Sequence, residues 1–222
     1  MVLHVDQDPA RNNGHSSLNG HSHAHEIEHE ATQTTIEERR EPKVDYDRLL
    51  SLCRELLTAI GENPDREGLQ DTPRRWADWW REFIEYNPGT TDTTFSAVSS
   101  DQMVCVSGMR VFSLCEHHML PMWCDVAIAY IPTNKVLGLS KFARIAHQFA
   151  HQLQIQERLG QQIADEVSRI TDTSHVAVLL KGEHLCMSAR GIRTPGTMTS
   201  SVMRGNFRVD RDLRMEFMQM IQ

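Results

Sequence analysis

The sequence predicts an α+β domain behind a polar N-terminal tail, and three observations predict it. Apolar residues recur at helical spacing in an early block, and later short segments alternate apolar and polar. The later elements come grouped, in the order β-β-α-α-β-β-α, which favours antiparallel pairing over alternating βαβ units. Composition changes sharply near residue 43: the first part has almost no large apolar residues, whereas the chain of 222 residues as a whole is 40% hydrophobic.

Residues 1–43 hold 4 Lys/Arg against 8 Asp/Glu, and six of the chain's 12 histidines: His4, His15, His21, His23, His25 and His29. Such a segment buries too little surface to offset its ordering entropy, so it is expected to be a disordered tail. His-rich tracts can also recruit metal. Residues 44–222 are expected to form the folded domain, with a helical part over 44–100 and the remainder over 101–222.

From Asp45 the pattern is helical, with Leu49, Cys53, Leu56, Leu57 and Ile60 on one face and Gly61 as the stop. Thr72-Pro73 reads as the next helix start, with Thr72 as cap and Pro73 in the first turn. Trp76, Trp79, Trp80, Phe83 and Ile84 then form a stripe expected to pack inward. Asn87-Pro88-Gly89 breaks the chain. Strands are expected near 102–113 and 125–131; in the second, Val126, Ile128 and Tyr130 oppose Ala127, Ala129 and Ile131. Phe142, Ile145, Ala146, Phe149 and Ala150 mark a helix. Leu159, Ile163, Val167 and Ile170 mark another. Val176, Val178 and Leu180 alternate as a strand, and 184–190 reads as a further one. Asp210 opens a last helix carrying Leu213, Phe217, Met220 and Ile221.

A formal charge of -7 argues against a nucleic-acid coat, and no apolar run approaches a membrane span. Five cysteines, an odd count, and no secretory signal pattern fit a reducing cytoplasm.

The most informative tetrapeptide is Cys115-Glu116-His117-His118. Cys115 and His118, three apart, can meet one ion across a turn. Cys186 is the natural third soft ligand. Three protein ligands leave the fourth position of a catalytic Zn2+ open to water. A closed structural site needs another ligand, for which His184 stands as a candidate; His117, adjacent to His118, is a poor one. Two thiolates neutralise the dication, so water activation needs a nearby proton acceptor, either His117 or His184. If 184–190 is a strand, His184, Cys186, Ser188 and Arg190 share a face.

Gly138-Leu139-Ser140-Lys141-Phe142-Ala143-Arg144 enters a helix whose N-terminus attracts anions, with Ser140 as cap. Lys141, Arg144 and Arg190 together suit a polyphosphate, although no P-loop pattern is present. Gln156 and Glu157 head the next helix, where a carboxylate can accept from a purine's ring N–H and amine together.

Taken together, these segments resemble GTP cyclohydrolase I of the zinc-dependent type. The matching runs are Gly61-Glu62-Asn63-Pro64, Thr72-Pro73-Arg74-Arg75, Cys115-Glu116-His117-His118 and Gly138-Leu139-Ser140-Lys141. Gln154-Ile155-Gln156-Glu157-Arg158 and His184-Leu185-Cys186-Met187 with Arg190-Gly191 complete them. The resemblance implies a tunnelling fold (β-β-α-α-β-β) with N-terminal helices, closing into a toroidal homodecamer. It implies conversion of GTP and water to 7,8-dihydroneopterin triphosphate and formate, the first step of pterin and tetrahydrofolate biosynthesis. Carried onto matching positions, Cys115, His118 and Cys186 hold zinc, and His117 handles protons at the imidazole ring of guanine. His184 and Ser140 then assist near the ribose, Gln156 and Glu157 hold guanine, and Lys141, Arg144 and Arg190 hold the triphosphate. The site is expected to be shared between chains, with Cys115 and Glu157 coming from different subunits. The sequence departs from the family where Cys124-Asp125 replaces a Gly followed by a basic residue, and where Gln152 replaces an Arg.

Overall fold

Residues 43–98 and 102–222 are described by the computed structural model; the expected tail, apart from Lys43, lies outside the described residues, as do residues 99–101.

Helix α1 spans Tyr46–Ala59, capped by the Asp45 carboxylate, which accepts from the Arg48 N–H. Gly61 ends it with a φ of +86°, a conformation that favours glycine. Helix α2 spans Thr72–Ile84 and packs on α1. Asp71, not Thr72, occupies its cap position, and no side chain caps it. In the tryptophan stripe Phe83 is buried, but Trp79 stays 40% exposed while stacking on Phe83. The stripe is therefore only partly inward.

Two sheets follow. A small one pairs β1 (Thr94–Ser96) antiparallel with β4 (Lys135–Leu137). The main sheet has the order β5-β2-β3-β6-β7. Its members are β2 (Val104–Cys115), β3 (Pro121–Tyr130), β5 (Leu153–Gln154), β6 (Val176–His184) and β7 (Thr197–Met203). All its pairs are antiparallel except β2 with β5. Between β4 and β6 run α3 (Leu139–Ala150) and α4 (Gln156–Thr171). After β6 come a single turn α5 (Leu185–Ser188), then α6 (Asn206–Val209) and α7 (Arg211–Met220).

The β3 alternation holds. Val126, Ile128 and Tyr130 enter the core beneath α3 and α4 with Phe142, Ile145, Leu159 and Ile163. Ala127 and Ala129 face the other side, where Phe207 of α6 and Phe217 of α7 cover them. Asp210 caps α7 as expected, accepting from the N–H groups of Asp212 and Leu213.

Two further expectations fail. Residues 184–190 are not a strand: β6 ends at His184, and Leu185–Ser188 is a helical turn closed by Ala189 N–H to Leu185 O at 2.8 Å. The second strand of the last pair is Thr197–Met203 instead. Likewise Ser140 does not cap α3. The cap position is Gly138, without a side-chain bond, and Ser140 lies exposed inside the first turn.

Candidate active site

Strand β2 delivers Cys115 at its end, and the chain turns at once through Glu116-His117-His118. The turn is held by backbone: Met119 N–H donates to Cys115 O at 2.7 Å, and Glu116 N–H to Gln154 O at 3.0 Å. Beside it, the Arg158 guanidinium pairs with the Glu116 carboxylate and donates to Gln154 Oε1 at 2.7 Å. Arg158 thus braces the turn between the two histidines and Cys115. Sequence reasoning gave it no role, because a contact between residues 42 positions apart leaves no local signal.

The helical turn α5 explains how Cys186 arrives. On a strand, His184 and Cys186 would point the same way. In a turn of about 100° per residue they diverge. His184 reaches inward to Gln156, while Cys186 faces Cys115. Ligand atoms of Cys115, His118 and Cys186 all lie within 4.8 Å of one another. Cys115 Sγ is 3.8 Å from His118 Nδ1. A tetrahedral zinc, with bonds near 2.3 Å to sulfur and 2.0 Å to nitrogen, separates such atoms by about 3.5 Å. Donor set and spacing therefore fit zinc. His117 Nδ1 is also 3.8 Å from Cys115 Sγ, but it does not join Cys186 in the cluster. Burial, and then the neighbouring Cys115, push the Cys186 thiol up.

Around this trio stand other expected residues. Arg190 Nη1 lies 2.6 Å from His118 Nε2. His184 Nε2 lies 3.0 Å from Gln156 Oε1. Burial lowers the pKa of His184, opposed by the Glu157 carboxylate. Glu157 is exposed and lines a cavity of about 200 Å³ with Gly160, Gln161, Leu180 and Ser200. Gln156, only 1% exposed, spends its amide inside the protein.

Ser140, Lys141 and Arg144 are elsewhere. Lys141 Nζ donates to Thr90 O at 2.8 Å and Thr90 Oγ1 at 2.9 Å, and Arg144 donates to Pro88 O. Their helix starts at the Tyr130 end of β3, where Leu137 N–H donates to the Tyr130 hydroxyl and Phe142 meets its ring. His184 pairs with Met122, at the opposite end. Eight residue steps of β3 separate Met122 from Tyr130, about 26 Å at strand rise. Along α3, Lys141 lies about 14 Å from Ala150, the residue that meets Ser113 near Cys115. One chain therefore gathers the metal trio, His117, His184, Gln156 and Arg190, but leaves the α3 cations apart. Within one chain the head of α4 adjoins the Cys115 turn, where Glu116 N–H donates to Gln154 O.

The family profile described as GTP cyclohydrolase I matches residues 50–222. The chain belongs to the GTP cyclohydrolase I family. It is 42% identical over 179 residues to GTP cyclohydrolase 1 of Hyperthermus butylicus, covering 81% of this chain and 92% of that protein. It is 45% identical over 173 residues to GTP cyclohydrolase 1 1 of Pseudomonas syringae pv. tomato (76% and 92% covered). With GTP cyclohydrolase 1 of Deinococcus radiodurans the identity is 46% over 177 residues (77% and 82% covered). No described helix is long and apolar enough to cross a membrane.

Proposed function

We propose that the chain converts GTP and water to 7,8-dihydroneopterin triphosphate and formate, using Zn2+ held by Cys115, His118 and Cys186. The observation that carries this is the convergence of two thiols and one imidazole where the end of β2 meets α5, beside a second histidine outside the cluster. The ion, when bound, supplies a Lewis acid and an activated water for attack at C8 of guanine. His117 moves protons at the imidazole ring as it opens and loses C8. Glu157 accepts from the N–H and amine edge of guanine, with Gln156 at its back. His184 serves proton movements at the ribose, together with Ser140. Lys141, Arg144 and Arg190 take the triphosphate.

Because Ser140, Lys141 and Arg144 sit far from their own chain's metal trio, the complete site requires a second copy. The edge strands of the main sheet, the two-residue β5 beside β2 and β7 on the far side, suit such assembly, as in a ring of joined sheets. A homodecamer in the cytoplasm is the form that we assign. Residues 1–43 are assigned as a tail outside the catalytic domain, so deletion of residues 1–40 should leave turnover unchanged.

Metal analysis and kinetics test the reading. Cys186→Ala should lose zinc and formate release together; full occupancy in that variant removes Cys186 from the ligands. His117→Ala should keep zinc yet lose on the order of 10²–10⁴-fold in turnover. Mixed oligomers of Cys115→Ala and Lys141→Ala chains should regain activity, since some seams then receive both intact residues. No recovery in demonstrably mixed oligomers contradicts the shared site.

A further inference from the structure

The Gln156 side chain is placed as a bracket. Its Nε2 donates towards three acceptors: Leu180 O at 3.2 Å, Met198 O at 3.0 Å and Ser200 Oγ at 3.0 Å. Two of these are backbone carbonyls on neighbouring strands, and a carbonyl cannot donate. A flipped amide would aim its oxygen at both and lose every bond they provide. The amide orientation is therefore decided by chemistry, and Oε1 must point the other way. There it meets two groups, His184 Nε2 at 3.0 Å and Cys124 Sγ at 3.7 Å.

An oxygen so placed can only accept. The His184 nitrogen facing it must be the protonated one, and Cys124 must face it as a thiol. Cys124 is 1% exposed, and its register partner across β3 and β6 is Gly182. A Cβ at position 182 would fall 2.2 Å from Gln156 Oε1 and 2.9 Å from Cys124 Sγ. The absence of a side chain at Gly182 is what lets thiol and amide share this space.

We propose that Gln156 is a positioning residue that acts through His184. Its carboxamide, locked on β6 and β7 and backed by the Cys124 thiol, sets the imidazole's orientation. It keeps the proton on Nε2 and leaves Nδ1 as the ring's accepting nitrogen. Gln156 then contributes to the chemical step and not to reading the guanine edge, which falls to Glu157. This rests on the reading that His184 serves the reaction.

The test combines kinetics, metal content and crystallography on the full chain. Gln156→Leu should lower kcat for formate release by about 10-fold or more, with KM for GTP within about threefold, because an interaction made in the chemical step has been lost. Zinc stoichiometry should be unchanged. The double variant Gln156→Leu with His184→Ala should be no slower than His184→Ala alone, since residues acting as one unit are not additive. Ser200→Ala, which removes one of the three anchors while keeping the side chain's room, should show the same kcat-weighted loss in milder form, should Gln156→Leu not fold. Crystal structures should show the His184 ring rotated or in several orientations in the Gln156 variant. A raised KM with kcat retained, or losses that multiply in the double variant, overturns the proposal. So does an unchanged ring in Gln156→Leu, whether or not GTP turns over. Absence of formate from the wild-type protein strikes the reaction reading instead, and the ring orientation still decides this one.

Discussion

Replacing Gly182 with Ala adds one methyl group at the most crowded point beside the site. The new Cβ would stand 2.2 Å from Gln156 Oε1 and 2.9 Å from Cys124 Sγ, where ordinary contact begins at 3.4 Å. The backbone cannot yield easily, because β6 is paired on both sides, to β3 and to β7. The amide must therefore retreat by more than an ångström, away from His184 and off its anchors at Leu180, Met198 and Ser200. Overpacking of this kind costs about 1–3 kcal/mol, and a lost hydrogen bond adds about 1 kcal/mol. The sum, about 2–4 kcal/mol, lowers the melting temperature of a domain this size by roughly 4–16 °C. Circular dichroism at fixed zinc and protein concentration measures it, since both shift apparent stability. Formate release should fall in parallel. Gly160→Ala is the control: its Cβ meets only the ends of Leu180 and Val202, at 3.2 and 3.3 Å, which can move aside. Adding Cys124→Gly to Gly182→Ala should recover part of the loss by vacating the sulfur. Native melting and native turnover in Gly182→Ala would refute the fixed bracket.

Burial, and then Asp125, push the Cys124 thiol up to about 12, so it should resist alkylation by iodoacetamide at pH 8 in the native protein and react only after unfolding. Rapid native labelling, located by mass spectrometry, would show that the thiol is accessible. Stability should also fall with acid through a histidine pair at the C-terminal end of α3. Burial lowers the pKa of His147, with repulsion from His151 second; burial lowers that of His151, opposed by the His147 carbonyl and by Glu82. Each is held below the ordinary 6.5, so between that value and the folded one the unfolded chain binds more protons. The stabilisation is complete above 6.5 and is lost as pH falls through the folded values. His147 Nδ1 is buried without a hydrogen-bond partner, so a proton there would find no acceptor. Melting temperatures from pH 7.5 to 5 should fall less steeply in His147→Gln than in the wild type; parallel curves would remove His147 from the account.

Much of the fold was legible because it repeats. The helical period of α1, the β3 alternation and the Asp210 cap all follow local rules that the structure obeys, although α1 buries only Cys53 and Leu57 of its apolar face and leaves Leu56 and Ile60 exposed. The 184–188 turn does not: His-Leu-Cys-Met-Ser alternates well enough for a strand, and a single helical turn has too few residues to show a period. Strand β7 was missed because Thr-Met-Thr-Ser-Ser carries little apolar contrast, although Met198, Ser200 and Val202 do face inward. Trp79 matched a buried spacing and remains partly exposed, since α2 packs mainly on α1 over a narrower face. At the site, Cys115, His118 and Cys186 were readable because metal chemistry restricts residue types. The Arg158 brace and the Gln156 bracket were not, because they depend on which strands become neighbours.

The central claim is that these residues open the imidazole ring of guanine and release C8. Incubating the zinc-loaded protein with GTP carrying ¹³C at C8 tests it most directly. The account predicts labelled formate together with a pterin triphosphate, fluorescent after oxidation, in equal amounts. GTP recovered intact, or cleaved only at its phosphates with C8 retained in the purine, would contradict it.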